Sequence, residues 1–150
     1  MTEHCYWRFS RALHRAINDQ SFAEIEGLLH ENVEWALYGP VDMFPFLGSR
    51  HGKDAVLEVI RHVAGNIQLR RFDRETTILG LDSAASILRC SLLTRASKKP
   101  IALRLAQFAQ FEAARLINMR ALIDTFDLVE QALGRSIHLP NIGSCVAETR

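Results

Sequence analysis

Apolar residues in the first half of the chain recur at the spacing of a helix. From Tyr6 to Ile17 they follow one another at steps of three and four, which places them on one helical face. A second helix is expected directly afterwards, because Ser21 and Glu24 have the spacing of a capping box. The same periodicity predicts a third helix over residues 52–64.

A spacing of two, typical of β-strands, follows. Trp35 and Leu37 alternate with more polar or smaller neighbours and predict a first strand. From Ile67 onward the same alternation predicts four long strands joined as hairpins. The predicted turns lie at residues 80–83, 97–100 and 112–114. A short final helix, capped by Thr125, is expected to end at Gly134.

The order of these elements predicts an α+β protein. A single curved antiparallel sheet wrapped on the N-terminal helices would bury both sets of apolar faces and form a cystatin-like cone with a cavity inside. Residues 1–134 are expected to form this one domain, and residues 135–150 a C-terminal tail that lies partly against the domain or a partner subunit. The strand register predicts seven side chains that face the helices: Trp35, Leu37, Leu105, Gln107, Ala109, Met119 and Ala121.

Composition and charge exclude several classes of protein. The 18 Lys and Arg residues nearly balance the 17 Asp and Glu residues, so the net charge of +1 gives no basic surface for nucleic acid. Stretches without a strongly polar residue, such as residues 43–48, are far too short to span a membrane, and the N-terminus is too polar for a signal peptide. Three isolated cysteines favour reduced thiols and a cytoplasmic protein.

Asp124 is the candidate for acid–base catalysis. A carboxylate at the edge of an apolar cone could have a raised pKa and act as a general base near neutral pH. The alternative is a structural role, because Asp124 directly precedes the predicted final helix and free amides at a helix start favour a negative charge. The two roles are compatible with each other.

Other candidates would bind a small apolar ligand. Gln107 lies mid-strand on an otherwise apolar face, so its amide needs either a buried partner or a ligand. Trp35 and Tyr38 flank the end of the first strand and would line the mouth of the cavity. The remaining candidates are Leu37, Leu105, Ala109, Met119, Ala121 and His14. The six histidines lack the spacing of metal ligands, so no metal and no cofactor is expected.

Short segments add a family resemblance to this picture. They are residues 17–22, 28–29, 33–35, 48–56 and 118–122. Together with the order of elements, they resemble the ketosteroid isomerase and SnoaL-like polyketide cyclase branch of the nuclear transport factor superfamily. The resemblance covers about residues 5–134. It implies the cone fold and a small-molecule cavity, but members of this superfamily have many different activities.

The resemblance does not bring known catalytic residues with it. It places Leu37 at the position of the isomerases' carboxylate base, Leu13 at their tyrosine and Gln107 at their protonated aspartic acid, which excludes steroid isomerisation by that mechanism. The epoxide-hydrolase members use paired carboxylates, but residues 84–111 contain neither Asp nor Glu. SnoaL-like cyclases are similar in having an acid–base aspartate late in the chain, where Asp124 stands.

Three functions remain open at this level. The chain could be a SnoaL-like isomerase, cyclase or hydrolase acting on a small apolar carbonyl compound, a non-catalytic ligand carrier, or a structural dimer with a collapsed interior. A homodimer is expected through the outer sheet face, with either Ile87 and Leu93 or Leu88 and Leu92 exposed. The charged run at residues 70–75 is expected on a solvated face or at the rim of that dimer.

Overall fold

The computed structural model describes residues 3–135. This part of the chain contains four helices and six strands. They are α1 (Cys5–Asp19), α2 (Ala23–Gly27), β1 (Leu29–Tyr38), β2 (Gly48–His51), α3 (Lys53–Asn66), β3 (Ile67–Leu79), β4 (Ser83–Thr94), β5 (Pro100–Glu112), β6 (Arg115–Ile123) and α4 (Thr125–Leu133). Nearly all of the predicted tail lies outside the described residues.

The six strands form one curved sheet in the order β2-β1-β6-β5-β4-β3. The predicted α+β cone is therefore confirmed, with two differences. β1 pairs with β6 in parallel, whereas every other pair is antiparallel. β2 was not predicted, because its four residues are only half-buried or exposed and contain no apolar alternation. Register shifts within the β3–β4 pair accompany the bending of its long strands.

The ends of three helices differ from the sequence predictions. The expected capping box is wrong, since α2 begins after Phe22 without a side-chain cap and Glu24 instead pairs with Arg15. α3 continues to Asn66, two residues past its predicted end. At α4 the cap is Asp124, whose carboxylate accepts a hydrogen bond from the amide of Asp127, and the helix ends at Gly134 as expected.

Helices α1 and α3 pack on the concave face of the sheet. Tyr6 and Phe9 of α1 are buried there together with Val56 and Ile60 of α3. The seven side chains expected to face the helices are all buried or half-buried, and their neighbours Phe108 and Leu122 lie on the exposed face. The period-two pattern thus gave the correct face of each strand, because a shift by one residue would have exposed the whole set.

The structure shows which residues of β4 lie on the outer face of the sheet. Leu88 and Leu92 are buried on the concave side, so Ile87 and Leu93 occupy the outer face. No helix in residues 3–135 is both long enough and apolar enough to cross a membrane.

Candidate functional site

A cavity of about 610 Å³ lies between α1, α3 and the concave face of the sheet. Five leucines from β3, β4 and β5 line part of its wall. The loop between β1 and β2 adds Phe44 and Phe46, whose ring centroids are 5.9 Å apart. The interior is thus open rather than filled, and its wall is mainly apolar.

Gln107 is the buried polar group in this wall. Its side chain is 8% exposed, and the hydroxyl of Tyr6 donates a hydrogen bond of 2.9 Å to its Oε1. Tyr6 therefore fixes which way the amide points. The Nε2 group of Gln107 has no hydrogen-bond partner among the described residues, so it offers its two N–H donors to the cavity.

Six of the predicted ligand contacts besides Gln107 also line the cavity. They are Trp35, Leu37, Leu105, Met119, Ala121 and His14. Trp35 is 5% exposed, and its Nε1 is buried without a partner among the described residues. His14 is exposed, and one of its ring nitrogens contacts the side-chain amide of Asn18.

Two predicted ligand contacts lie elsewhere. Ala109 is in the packed core beside Phe111 and does not border the cavity. Tyr38 is 43% exposed at the end of β1 and is also absent from the cavity wall. Tyr38 pairs in register with exposed Leu122 on the outer face of the sheet, whereas Trp35 lies on the inner face. Of the two aromatic residues expected at the mouth, Trp35 borders the cavity together with Phe44 and Phe46, and Tyr38 does not.

Asp124 lies on the opposite side of the sheet from the cavity interior. Its exposed carboxylate caps α4 through the amide of Asp127 at 3.3 Å. It borders a separate outer groove of about 500 Å³, whose other charged residues include Arg71, Arg89 and Arg104. The structural alternative considered for Asp124 is thus present in the structure, while its acid–base role stays a prediction.

The wall of the cavity contains basic side chains and no acidic ones among the described residues. The basic residues are Arg11, His14, His62 and Arg74. Burial raises the pKa of the Cys90 thiol to about 12, so this lining residue stays protonated and unreactive at neutral pH. No group of three or more potential metal ligands occurs within residues 3–135.

Arg74 corrects the expectation that the charged run is only a solvated face. Its neighbours Arg71 and Glu75 are on the outer face, but Arg74 points inward from β3 to α1. Its guanidinium carbon lies 4.8 Å from the ring centroid of Trp7 and 5.0 Å from that of Phe72. A register shift just before Arg71 interrupts the alternation along β3, so the available signal was Phe72, an apolar residue two positions before Arg74 on the same face.

Tyr6 was missed as a site residue for a different reason. Sequence spacing matched the isomerase tyrosine to Leu13, seven residues further along α1. The contact of Tyr6 with Gln107 joins residues 101 positions apart, and no local pattern reports such a contact. The only signal was that Tyr6 begins the apolar stripe of α1.

Comparison with known proteins supports the architecture. The model of the SnoaL-like domain matches residues 10–119. The chain has no match among curated proteins. A crystal structure from Rhodopseudomonas palustris, provisionally named an isomerase, is 56% identical over 90% of this chain and 100% of its own, with a TM-score of 0.88.

More distant structures share the fold. An NTF2-like protein of unknown function from Burkholderia pseudomallei is 18% identical over 86% of this chain and 98% of its own, with a TM-score of 0.71. An LEH-like epoxide hydrolase from M. tuberculosis is 12% identical over 85% of this chain and 88% of its own, with a TM-score of 0.64. The segment that matches the model of the SnoaL-like domain, residues 10–119, contains α3, five complete strands and most of the cavity wall. This chain belongs to the SnoaL-like domain family.

Proposed function

We propose that the cavity binds a small, mostly apolar compound that carries a hydrogen-bond acceptor such as a carbonyl oxygen. The observation behind this proposal is the amide of Gln107, which Tyr6 holds with its N–H donors toward an apolar space. The Nε1 group of Trp35 is a second donor in this wall, and it is buried without a partner among the described residues. A buried donor without a partner costs free energy, and a ligand oxygen would recover that cost.

The size of the cavity supports a ligand rather than a purely structural role. Its volume of about 610 Å³ falls in the range of small-molecule sites, which bury an apolar ligand and orient it with a few polar groups. A structural dimer with a collapsed interior would leave no such space. Ligand binding, with or without catalysis, is therefore the function that the geometry favours.

An isomerase or cyclase is the second candidate. It is favoured by the 56% identity to the Rhodopseudomonas palustris protein that has been provisionally named an isomerase. Such chemistry needs a proton acceptor beside the ligand. His14 borders the cavity, whereas Asp124 would have to act from the outer groove. We therefore rank binding before catalysis.

Thermal unfolding in the presence of small aromatic and alicyclic ketones tests the proposed binding. A ligand at 100 times its Kd should add ~2.7 kcal/mol to the free energy of unfolding, which shifts the melting temperature measurably. Hydrocarbons of the same shape, lacking the carbonyl group, are the matched controls and should stabilise less. Equal stabilisation by ketones and hydrocarbons, or none by either, would contradict the proposal.

A homodimer through the outer sheet face belongs to the same proposal. Ile87 and Leu122 flank Ala106 in register across β4, β5 and β6, and exposed Phe108 lies beside them. Their side chains form an apolar patch on neighbouring strands, and a two-fold axis through such a patch would cover it with its own copy. The interface should bury more than ~1,000 Å² in total.

Sedimentation should therefore detect a dimer at micromolar concentration. Leu122→Glu places a charge in the patch and should shift the protein to the 17.0 kDa monomer. Leu81→Glu is the control, because Leu81 is 93% exposed in the β3–β4 turn, away from the patch. A wild-type protein that sediments as a monomer would refute the dimer.

A further inference from the structure

Arg74 has an unusual position among the basic residues of the cavity wall. Arg11 is paired with Glu3, and the ring of His14 contacts Asn18. Arg74 has no carboxylate partner among the described residues, although acidic residues flank it on both sides in the sequence. A permanent positive charge is thus left uncompensated at the edge of an apolar cavity.

The neighbouring acids cannot neutralise Arg74, because they lie on the other face of β3. Asp73 pairs with Arg71, and Glu75 pairs with both Arg89 and Arg104 on the outer face. Each acid is therefore already engaged by arginines outside the cavity. An anion that reaches Arg74 has to come from a ligand or from solvent.

Aromatic rings hold the guanidinium of Arg74 in place. Its central carbon lies 4.8 Å from the ring centroid of Trp7, 5.0 Å from Phe72 and 5.9 Å from Tyr6. One N–H also donates to the hydroxyl of Ser10. The N–H groups of Arg74 other than the one bonded to Ser10 have no hydrogen-bond partner among the described residues, so they are available to a ligand. A planar fork of this kind matches the two oxygens of a carboxylate.

Tyr6 connects this cation to the amide of Gln107. The ring of Tyr6 lies beside the guanidinium of Arg74, and the hydroxyl of Tyr6 donates a hydrogen bond to Gln107. A charged group for an anion and a neutral donor for a carbonyl therefore share one end of the cavity. The leucine-rich wall beyond them suits an apolar body.

We propose that the natural ligand is an amphipathic organic acid whose carboxylate binds Arg74 while its apolar body occupies the cavity. This inference rests on the proposed ligand binding and names the chemical class of the ligand. Even without a specific contact, the basic groups at the edge of the cavity would favour the approach of anions over cations.

Three matched probes test it: naphthoylpropionic acid, its methyl ester, and naphthylbutyric acid, which keeps the carboxylate but lacks the ketone. Dissociation constants are measured by calorimetry on the wild-type protein. The acid should bind about tenfold more tightly than its ester, because a hydrogen bond to a charged group is stronger than one to a neutral group. Added salt should weaken the binding of the acid more than the binding of the ester.

Substitutions then assign the preference to Arg74. Arg74→Met keeps an apolar stem against the rings and should remove the difference between acid and ester without weakening the ester. Arg74→Lys keeps the charge and should retain part of the difference. Arg70→Met is the matched control on the same strand, because exposed Arg70 does not border this cavity and its replacement should leave the preference unchanged.

Each result separates the two proposals. Equal affinities for acid and ester in the wild-type protein would refute the role of Arg74 and leave the proposed binding intact. That role would also be refuted if Arg70→Met and Arg74→Met reduced the acid preference equally, since only net charge would then matter. Absence of binding by all three probes at millimolar concentration would contradict the proposed function itself.

Discussion

Replacement of Arg95 by methionine is expected to lower the free energy of unfolding by about 3 kcal/mol, because it removes several charged hydrogen bonds at once. Arg95 lies in the turn between β4 and β5, below the ends of α1 and α3. Its Nε donates to the carbonyl of Ala64 at 2.7 Å, and one terminal nitrogen donates to that of Ile17 at 2.7 Å. The same nitrogen lies 3.3 Å from the carbonyl of Asn18.

These carbonyl groups are the ones that helices leave without internal partners. Ile17 and Asn18 lie in the last turn of α1, and Ala64 lies in the last turn of α3. A positive charge there also interacts favourably with the negative ends of both helix dipoles. Arg95 thus joins the two helices that cover the cavity to the sheet. Methionine would leave the carbonyls of Ile17 and Asn18 to water, and that of Ala64 with only the long hydrogen bond of 3.3 Å from the side-chain amide of Gln20.

Chemical denaturation of Arg95→Met beside Arg89→Met measures this contribution. Arg89 is an exposed arginine that pairs with Glu75, and exposed ion pairs contribute less than ~1 kcal/mol. The Arg95 variant should therefore have the clearly lower denaturation midpoint with an unchanged slope. Similar losses of stability in both variants would mean that the hydrogen bonds of Arg95 with the helix ends contribute little to the free energy of unfolding.

The sequence was sufficient for the fold because its apolar periodicity is strong wherever one face is buried. Along β4 every second residue from Ala84 to Leu92 is buried, and the alternation alone identified the strand. β2 has no such contrast, since it is a short edge strand that contacts β1 on one side. Helix caps were less predictable, because the side chain of Glu24 forms an ion pair instead of bonding its own backbone.

The site was only partly predictable, since its polar contacts join distant parts of the chain. Gln107 was found because one amide among apolar residues stands out on a strand. Its partner Tyr6 could not be identified from spacing, as the contact depends on how α1 crosses the sheet. Arg74 was concealed within a charged run, and the register shifts on either side of it place it on the opposite face of β3 from Arg71 and Glu75.

Gln107→Met should weaken the binding of a ketone ligand strongly, whereas Asp124→Asn should barely change it. Methionine has the shape of glutamine but no donor, so the ligand oxygen would lose its hydrogen bond and Kd should rise by about 30-fold. Asp124→Asn should change Kd by less than about twofold, because its side chain borders the outer groove and asparagine still accepts from the amide of Asp127. Calorimetry with the best ketone from the thermal screen measures both.

Loss of the Tyr6 hydrogen bond has to be separated from loss of the ligand contact. Gln107→Met leaves the buried hydroxyl of Tyr6 without its acceptor, which should lower stability by ~1–3 kcal/mol. Adding Tyr6→Phe removes that unpaired hydroxyl, so the double variant should recover stability while still binding the ketone weakly. Recovery of ketone affinity along with stability would show that Gln107 supports the fold and does not contact the ligand.

The same variants distinguish binding from catalysis. Deuterium exchange next to the ketone of the bound compound, followed by NMR in heavy water, reports proton transfer. If Asp124 acts as the base, Asp124→Asn should slow any exchange by ~100-fold or more while Kd stays the same. We expect any exchange to persist in that variant, since the carboxylate caps α4 on the side of the sheet away from the cavity interior. Exchange that disappears with Asp124 alone would restore this aspartate as the catalytic base.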